Sequence, residues 1–189
     1  MFKKTEIQGI FLVQSNKFLD ERGSVQEWFV SENFNSYLNG NFNIEQINIT
    51  KSLKNSLRGI HYSLASQGQV KVITCISGAI LDVIVDIRLN SPTFGKHIKI
   101  ELNSSDNNSI FISKGLGHAF LSLTDFSTVA YLMSSKFDAS SEYSINPFDE
   151  KLGIDWPVEK NKLKLSNRDL GAPTLTQRIL ENRLPEFGE

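Results

Sequence analysis

The strongest fold signal in the sequence is the segment VKVITCISGAILDVIVDI, which runs from Val70 to Ile87. β-Branched and other apolar residues dominate it on both sides of Ser77-Gly78, and such runs favour β-strands. A serine and a glycine between two such runs are typical of a hairpin turn. We therefore predict two central strands that are joined as a hairpin at Ser77-Gly78.

Similar short runs lie on both sides of this stretch, which predicts an all-β sandwich or barrel. Alternating polar and apolar residues at 97–102 mark a strand with one wet face, whereas Asp82 and Asp86 lie on a face that should not be fully solvated. Helix signals appear only after Ser31 and at 174–184, so the helices are accessories. The strand-like runs cover 11–13, 24–30, 44–50, 57–62, 70–76, 79–87, 98–102, 109–112, 118–123 and 128–134.

Length and composition indicate one domain without a polyionic partner. The 189 residues contain no linker, so we expect a single domain, 1–189, with a helical tail from about residue 174. The 20 basic and 21 acidic residues nearly cancel, which gives no reason to expect nucleic acid or a membrane surface as a partner. The single cysteine, Cys75, cannot form an internal disulfide, and the apolar segment 9–13 is too short for a signal peptide or a membrane span. We expect a cytoplasmic protein.

The segment LRGIHY, which begins at Leu57, and the nearby Lys71 indicate an active site. An arginine, an imidazole and an ammonium are costly to shelter in β-structure unless an anionic substrate or a reaction uses them. A metal-binding barrel of this kind needs paired histidines on one strand, but His61 is flanked on its face by Gly59 and Ser63. We therefore predict an enzyme without a metal site.

Three residues each have a catalytic and a structural interpretation. His61 is a candidate general base, with Asp169 as the carboxylate that orients it, or a satisfied strand histidine. Lys71 is either an ammonium that stabilises an enolate or binds phosphate, or a strand-end lysine that reaches water. Tyr131 is either a general acid that faces the base or a core tyrosine.

Two strand positions bear on how the pocket is formed. Arg58 and His61 are three residues apart, so they can serve one site only if the strand kinks or ends near Gly59. Gln46 and Asn48 share a face, where paired amides either read a nucleotide or sugar edge or bridge loop backbone.

Several motifs, in this order, resemble the nucleotide-sugar 3,5-epimerases typified by dTDP-4-dehydrorhamnose 3,5-epimerase. They are FLDERG at 18–23, QIN at 46–48, LRGIHY at 57–62, VDIR at 85–88 with SPTFGK at 91–96, and LGIDWP at 152–157. The resemblance extends from about residue 7 to residue 173. It implies a cupin-type jelly roll (a double-stranded β-helix) that acts without metal or organic cofactor, usually as a homodimer in which an N-terminal strand crosses to the partner.

The resemblance also implies roles for individual residues. His61 would be the base, Asp169 its orienting partner, Tyr131 the acid on the opposite ring face, and Lys71 the stabiliser of the enolate oxygen. Arg22 and Arg58 would hold diphosphate or sugar oxygens. The nucleotide and sugar pocket would also be lined by Glu27, Gln46, Asn48, His118 and Glu142.

The implied reaction converts dTDP-4-dehydro-6-deoxy-D-glucose to dTDP-4-dehydro-L-rhamnose by inversion at C3 and C5. Phe137 stands where the family usually has a tyrosine, which changes the substrate-facing set. Two alternatives therefore stay open: an epimerase that inverts only one carbon of a related nucleotide sugar, and a non-catalytic jelly roll that binds sugar nucleotides.

Overall fold

The chain folds mainly into short antiparallel strands. The computed structural model describes residues 1–38 and 42–188. Within them the strands are β1 (Phe2–Lys4), β2 (Ile10–Gln14), β3 (Asn16–Asp20), β4 (Gly23–Glu27), β5 (Gln46–Leu53), β6 (Leu57–Ser63), β7 (Lys71–Ser77), β8 (Ala79–Asp86), β9 (His97–Asn103), β10 (Asn108–Ile112), β11 (Leu116–Ser122), β12 (Phe126–Met133) and β13 (Glu142–Ser144). The helices are α1 (Ser31–Leu38), α2 (Asn167–Leu170) and α3 (Leu175–Leu180), with a 3-10 turn at Lys160–Lys162.

Two large sheets pack against each other as a jelly roll. A six-stranded sheet has the order β1-β2-β10-β7-β12-β5, and a five-stranded sheet has the order β13-β6-β11-β8-β9. Ile73 and Val129 of the first sheet meet Ile84 and Phe120 of the second in one buried core. Burial of this apolar surface is the main force that holds the sheets together. The predicted all-β jelly roll with accessory helices is confirmed.

The predicted hairpin at Ser77-Gly78 is wrong, although both of its strands exist. β7 lies inside the six-stranded sheet and β8 inside the five-stranded sheet, so the chain changes sheets at Gly78 rather than pairing with itself. Gly78 has a φ of 77°, and a Cβ atom there would overlap the Phe126 carbonyl oxygen. A glycine permits this tight crossing, which sequence alone cannot distinguish from a hairpin turn.

The C-terminal helix α3 is shorter than the sequence predicts. α3 begins with a capping box, in which the Thr174 hydroxyl accepts a hydrogen bond from the Gln177 backbone N–H. The predicted helix at 174–184 is too long, because Asn182 has a φ of 52°, outside the helical region. The region after residue 174 is therefore only partly helical.

Smaller clusters cover the outer faces of the two sheets. Phe34 of α1 packs with Val72 and Phe111 on the six-stranded sheet. The C-terminal Leu175 and Leu184 pack on the outer face of the five-stranded sheet. No helix of the described residues is long and apolar enough to cross a membrane. The single domain 1–189 stays a prediction, and residues 39–41 and 189 of that range lie outside the described residues.

Candidate active site

Strand register places four of the predicted site residues on the inner face of the six-stranded sheet. Tyr131 of β12 lies opposite Asn48 of β5 on one side and opposite Ile73 of β7 on the other. Met133 lies in the same way between Gln46 and Lys71. Because residues two apart on a strand share a face, Gln46, Asn48, Lys71 and Tyr131 all face the interior with the buried Ile73.

The five-stranded sheet supplies the opposite wall. His61 of β6 lies opposite His118 of β11, and Arg58 lies opposite Phe120. β6 advances three residues where β11 advances two, so the pair contains a β-bulge at Gly59, whose φ is 110°. The bulge turns Arg58 and His61 to the same face. It supplies the kink that one shared site requires.

His61 and Asp169 form a close carboxylate–imidazole pair. His61 Nε2 lies 2.6 Å from Asp169 Oδ1. The His61 side chain is 33% exposed and that of Asp169 only 4%, so the imidazole is open to a substrate while the carboxylate is sealed beneath it. Burial would raise the pKa of Asp169, but the hydrogen bond from His61 and the imidazole charge hold it below its ordinary value. Asp169 is thus an anion suited to orient His61 and to stabilise its protonated form.

The short helix α2 positions Asp169. Its N-cap is Ser166, whose hydroxyl oxygen accepts a hydrogen bond from the Asp169 backbone N–H at 3.2 Å. Arg168 extends the other way and donates to the Glu142 backbone carbonyl at 3.1 Å. The loop that carries the carboxylate is therefore fastened to β13, at the edge of the sheet that contains His61.

Lys71 is a buried amine that experiences the negative charges of two carboxylates on the opposite sheet. Burial lowers the pKa of Lys71, while the negative charges of Glu142 and Asp82 act to raise it. Glu142 is itself held by Gln69, whose side-chain amide donates to Glu142 Oε1 at 3.3 Å. An ammonium in such a site interacts strongly with any oxyanion brought next to it.

Tyr131 shares its surroundings with Arg58 and Asn48. Burial raises the pKa of Tyr131, and the Arg58 charge and the Asn48 amide offset this only in part. Arg58 is held by the Ser52 hydroxyl, which accepts from Arg58 Nε at 3.0 Å. Gln46 lies next to Asn48, and its Nε2 donates to Asn48 Oδ1 at 2.9 Å. Because its pKa is raised, Tyr131 is protonated at neutral pH, as a proton donor must be.

A second imidazole–carboxylate pair lies deeper in the barrel. His118 Nε2 is 2.5 Å from Asp82 Oδ1, and both residues are buried. The sequence predicted His118 as a pocket residue, and the structure brings it to the same interior as His61. Asp82 was not among the predicted site residues. Its signal was a carboxylate in a predominantly apolar strand, on a face that should not be fully solvated.

Arg22 and Glu27 are not brought to the other predicted site residues. Glu27 ends β4 and Arg22 lies in the turn between β3 and β4, and these two strands form a sheet of their own. Arg22 binds Asp20, and Glu27 accepts a hydrogen bond from Asn16. This hairpin exposes Phe18, Leu19 and Val25, which are 57%, 79% and 65% accessible.

Residues 1–38 and 42–188 contain no group of three or more His, Cys, Asp or Glu side chains that could hold a metal ion. A reaction without metal or cofactor stays a prediction.

Comparison with known proteins gives consistent matches over most of the chain. The family model described as dTDP-4-dehydrorhamnose 3,5-epimerase matches residues 4–177. A relative from a Streptomyces species, named dTDP-4-dehydro-6-deoxyglucose 3-epimerase, is 44% identical over 168 residues, which are 89% of this chain and 85% of the relative. A Mycolicibacterium smegmatis relative, named dTDP-4-dehydrorhamnose 3,5-epimerase, is 42% identical over 170 residues, or 90% and 83% of the two chains.

A solved structure agrees with these relatives. It is a 3'-monoepimerase from Streptomyces bikiniensis in complex with dTDP-quinovose, and it superposes with a TM-score of 0.92 at 40% identity, covering 96% of this chain and 91% of that one. The fold, the paired groups in its interior and these relatives define the chain as an epimerase, an enzyme of the isomerase class. It belongs to the dTDP-4-dehydrorhamnose 3,5-epimerase family.

Proposed function

We propose that the protein epimerises dTDP-4-dehydro-6-deoxy-D-glucose at C3 and C5 to give dTDP-4-dehydro-L-rhamnose, without metal or cofactor. The observation that carries this proposal is the arrangement of a buried carboxylate, an accessible imidazole and a protonated phenol around one interior. His61, paired with Asp169 of α2, stands on the five-stranded sheet, and Tyr131 stands on the six-stranded sheet that faces it.

His61 removes the proton next to the C4 ketone. A neutral imidazole is a weak base toward such a C–H bond. The reaction therefore needs help on both sides of the transfer. Asp169 stabilises the imidazolium that forms, at 2.6 Å from Nε2. The 33% exposure of His61 is what allows the sugar to reach the imidazole.

Lys71 stabilises the other product of the transfer, the enolate. Proton loss from C3 or C5 places negative charge on the C4 oxygen. A buried ammonium next to that oxygen lowers the energy of the enolate more than a solvated one would, because the surrounding dielectric is low. The Glu142 and Asp82 charges favour the cationic form of Lys71, in which it can do this.

Tyr131 returns a proton to the opposite face of the ring. A single base would deliver the proton to the face it left, and no inversion would follow. A donor on the facing sheet gives the opposite stereochemistry. Burial raises the pKa of Tyr131 and so keeps its proton in place until the enolate forms.

The remaining predicted residues bind the nucleotide and the diphosphate. Arg58 projects from the bulge next to His61 and offers a planar donor set that suits diphosphate oxygens. We propose a homodimer in which the exposed β3–β4 hairpin of one copy brings Arg22 and Glu27 to the site of the other. The apolar side chains Phe18, Leu19 and Val25 on this hairpin and Ile47 and Ile49 on β5 are exposed in the single chain and would be covered in that dimer.

Inversion at C3 alone is the second candidate. The 44% identity to a relative named as a 3-epimerase is close to the 42% identity to one named as a 3,5-epimerase. Both reactions use the same base, acid and enolate stabiliser. They differ in whether the ring rotates or flips so that the second carbon also reaches His61.

Chemical trapping of the product distinguishes these reactions. The purified protein is dialysed against EDTA and incubated with dTDP-4-dehydro-6-deoxyglucose, and the mixture is reduced with borohydride and hydrolysed. Inversion at both carbons yields L-rhamnose and 6-deoxy-L-talose, whereas inversion at C3 yields 6-deoxy-D-allose and 6-deoxy-D-gulose. Recovery of only 6-deoxy-D-glucose and D-fucose, the reduction products of unreacted substrate, would contradict the proposed function.

A further inference from the structure

Asp82 is a buried carboxylate, and only one of its two oxygens has a hydrogen-bond partner among the described residues. Its exposure is 0%, and its Oδ1 lies 2.5 Å from His118 Nε2. Its Oδ2 is buried and has no hydrogen-bond partner among the described residues. On the neighbouring strands it faces Phe120 and Ile100, which are apolar. A charge in such a place is costly, so its presence calls for a compensating role.

The groups around Asp82 belong to the proposed site. On the inner face of its sheet are His118 from β11, His61 and Arg58 from β6 and Glu142 from β13. From the facing sheet Lys71 of β7 and Tyr131 of β12 point into the same space. Burial lowers the pKa of Lys71, and the Asp82 charge is one of two that oppose this change.

The contact with His118 also fixes that imidazole. Because the carboxylate accepts from Nε2–H, the other ring nitrogen, Nδ1, is left for a further partner. The structure gives no hydrogen bond from Nδ1 to any described residue. His118 therefore has one nitrogen committed to Asp82 and one available to a ligand in the barrel.

We propose that Asp82 is a positioning residue of the active site, which fixes His118 with Nδ1 directed at the substrate and supplies negative charge that keeps Lys71 cationic. Its kinetic consequence rests on the proposed function. The role differs from that of Asp169: Asp169 acts on the base, whereas Asp82 acts on Lys71, which meets the enolate, and on His118, which meets the sugar.

Asp82→Asn keeps the shape of the side chain and removes its charge. We expect kcat to fall about ten- to hundredfold, the scale of a lost charge-assisted hydrogen bond, with dTDP affinity nearly unchanged. Loss of the carboxylate also lets Lys71 deprotonate at lower pH, so the basic limb of the kcat/KM profile should move to lower pH. Asp82→Glu restores the charge and should return the limb toward its original position. Asp125→Asn, which makes the same charge change at an 88% exposed side chain, should do neither.

A purely structural Asp82 would give another pattern. Asp82→Asn would then lower the thermal midpoint, while the surviving folded enzyme kept the parental kcat and the parental basic limb. That result would overturn the proposal.

A measurement without turnover separates this proposal from the proposed function. In protein labelled with ¹³C at lysine Cε, the Lys71 signal, assigned with Lys71→Arg, should titrate at lower pH in Asp82→Asn than in the parent. An unchanged titration would contradict the proposal whether or not the parent epimerises any sugar. If Asp82→Asn does not fold, ¹³C-carboxyl spectra of the parent, assigned with Asp82→Glu, decide the question. An ionised Asp82 at pH 7 supports the proposal, and a protonated one refutes it.

Discussion

Replacement of Asp169 by asparagine should lower kcat/KM about 10- to 150-fold without unfolding the protein. The magnitude follows from the 2.6 Å contact between Asp169 Oδ1 and His61 Nε2, in which the carboxylate is 4% exposed. Hydrogen bonds to charged groups contribute about 1.5–3 kcal/mol. Because about 1.4 kcal/mol corresponds to a factor of ten in rate, the loss of this interaction gives the expected range.

The substitution removes charge and tautomer control while retaining shape. An asparagine oxygen still accepts from His61 Nε2–H, but it carries no charge to stabilise the imidazolium. Its NH₂ group, if turned toward Nε2, would hold the imidazole in the wrong tautomer. The Ser166 cap involves the Asp169 backbone, so α2 should persist.

The assay is steady-state conversion of dTDP-4-dehydro-6-deoxyglucose by the parent, Asp169→Asn, His61→Ala and the double variant. If Asp169 acts through His61, the double variant should be no slower than His61→Ala, because residues that act as a unit are not additive. Asp125→Asn serves as the exposed control. Parental activity in Asp169→Asn, or losses that multiply in the double variant, would refute the assignment.

Further predictions concern the acid and a buried ion pair. Tyr131→Phe should still allow proton loss but impair inversion, so NMR in deuterated buffer should show exchange exceeding epimerisation; inversion at the parental rate would exclude Tyr131 as the acid. Arg88→Met should lower the free energy of unfolding, measured by urea denaturation, by about 3–5 kcal/mol, because it leaves the buried Asp86 carboxylate without its charged partner. Asp86 Oδ2 lies 2.8 Å from Arg88 Nη2. A decrease as small as that caused by the exposed control Lys162→Met would contradict this. Burial would raise the pKa of Asp86, but hydrogen bonds from Arg88, with others from hydroxyl groups, hold it below its ordinary value. The stability that Asp86 contributes should therefore be present above its unfolded pKa of about 3.9 and be lost as pH falls through the lower folded pKa. The urea midpoint of Asp86→Asn should then change less between neutral and acid pH than that of the parent. An equal change in both proteins would contradict this prediction.

The sequence predicted where strands lie better than how they pair. All ten predicted strand-like runs correspond to strands, because alternating and β-branched patterns report burial directly. β1 and β13 were missed because they have only three residues each, and β3 was missed because it is exposed. Their partners decide their structure, and a local pattern does not identify a partner. The crossing at Gly78 was mistaken for a hairpin for the same reason.

The candidate site shows a similar division. Motif resemblance pointed to His61, Lys71, Tyr131 and Asp169, and the structure places all four around one interior. The common face of Arg58 and His61 depends on the bulge at Gly59, which strict alternation along the strand does not predict. Asp82 was visible only as an unsolvated carboxylate, since its partner is 36 residues away and on another strand.

Proton NMR of dTDP-4-dehydro-6-deoxyglucose in deuterated buffer shows directly whether His61 acts as the base. We expect the parent protein, without added metal or cofactor, to remove the C3 and C5 proton signals and the matched His61→Ala variant to leave them in place. Loss of the C3 signal alone would still support His61 as the base but would indicate a 3-epimerase. Proton exchange by His61→Ala at the parental rate would contradict the assignment of His61 as the base. Absence of proton exchange with the parent protein would contradict the proposed function.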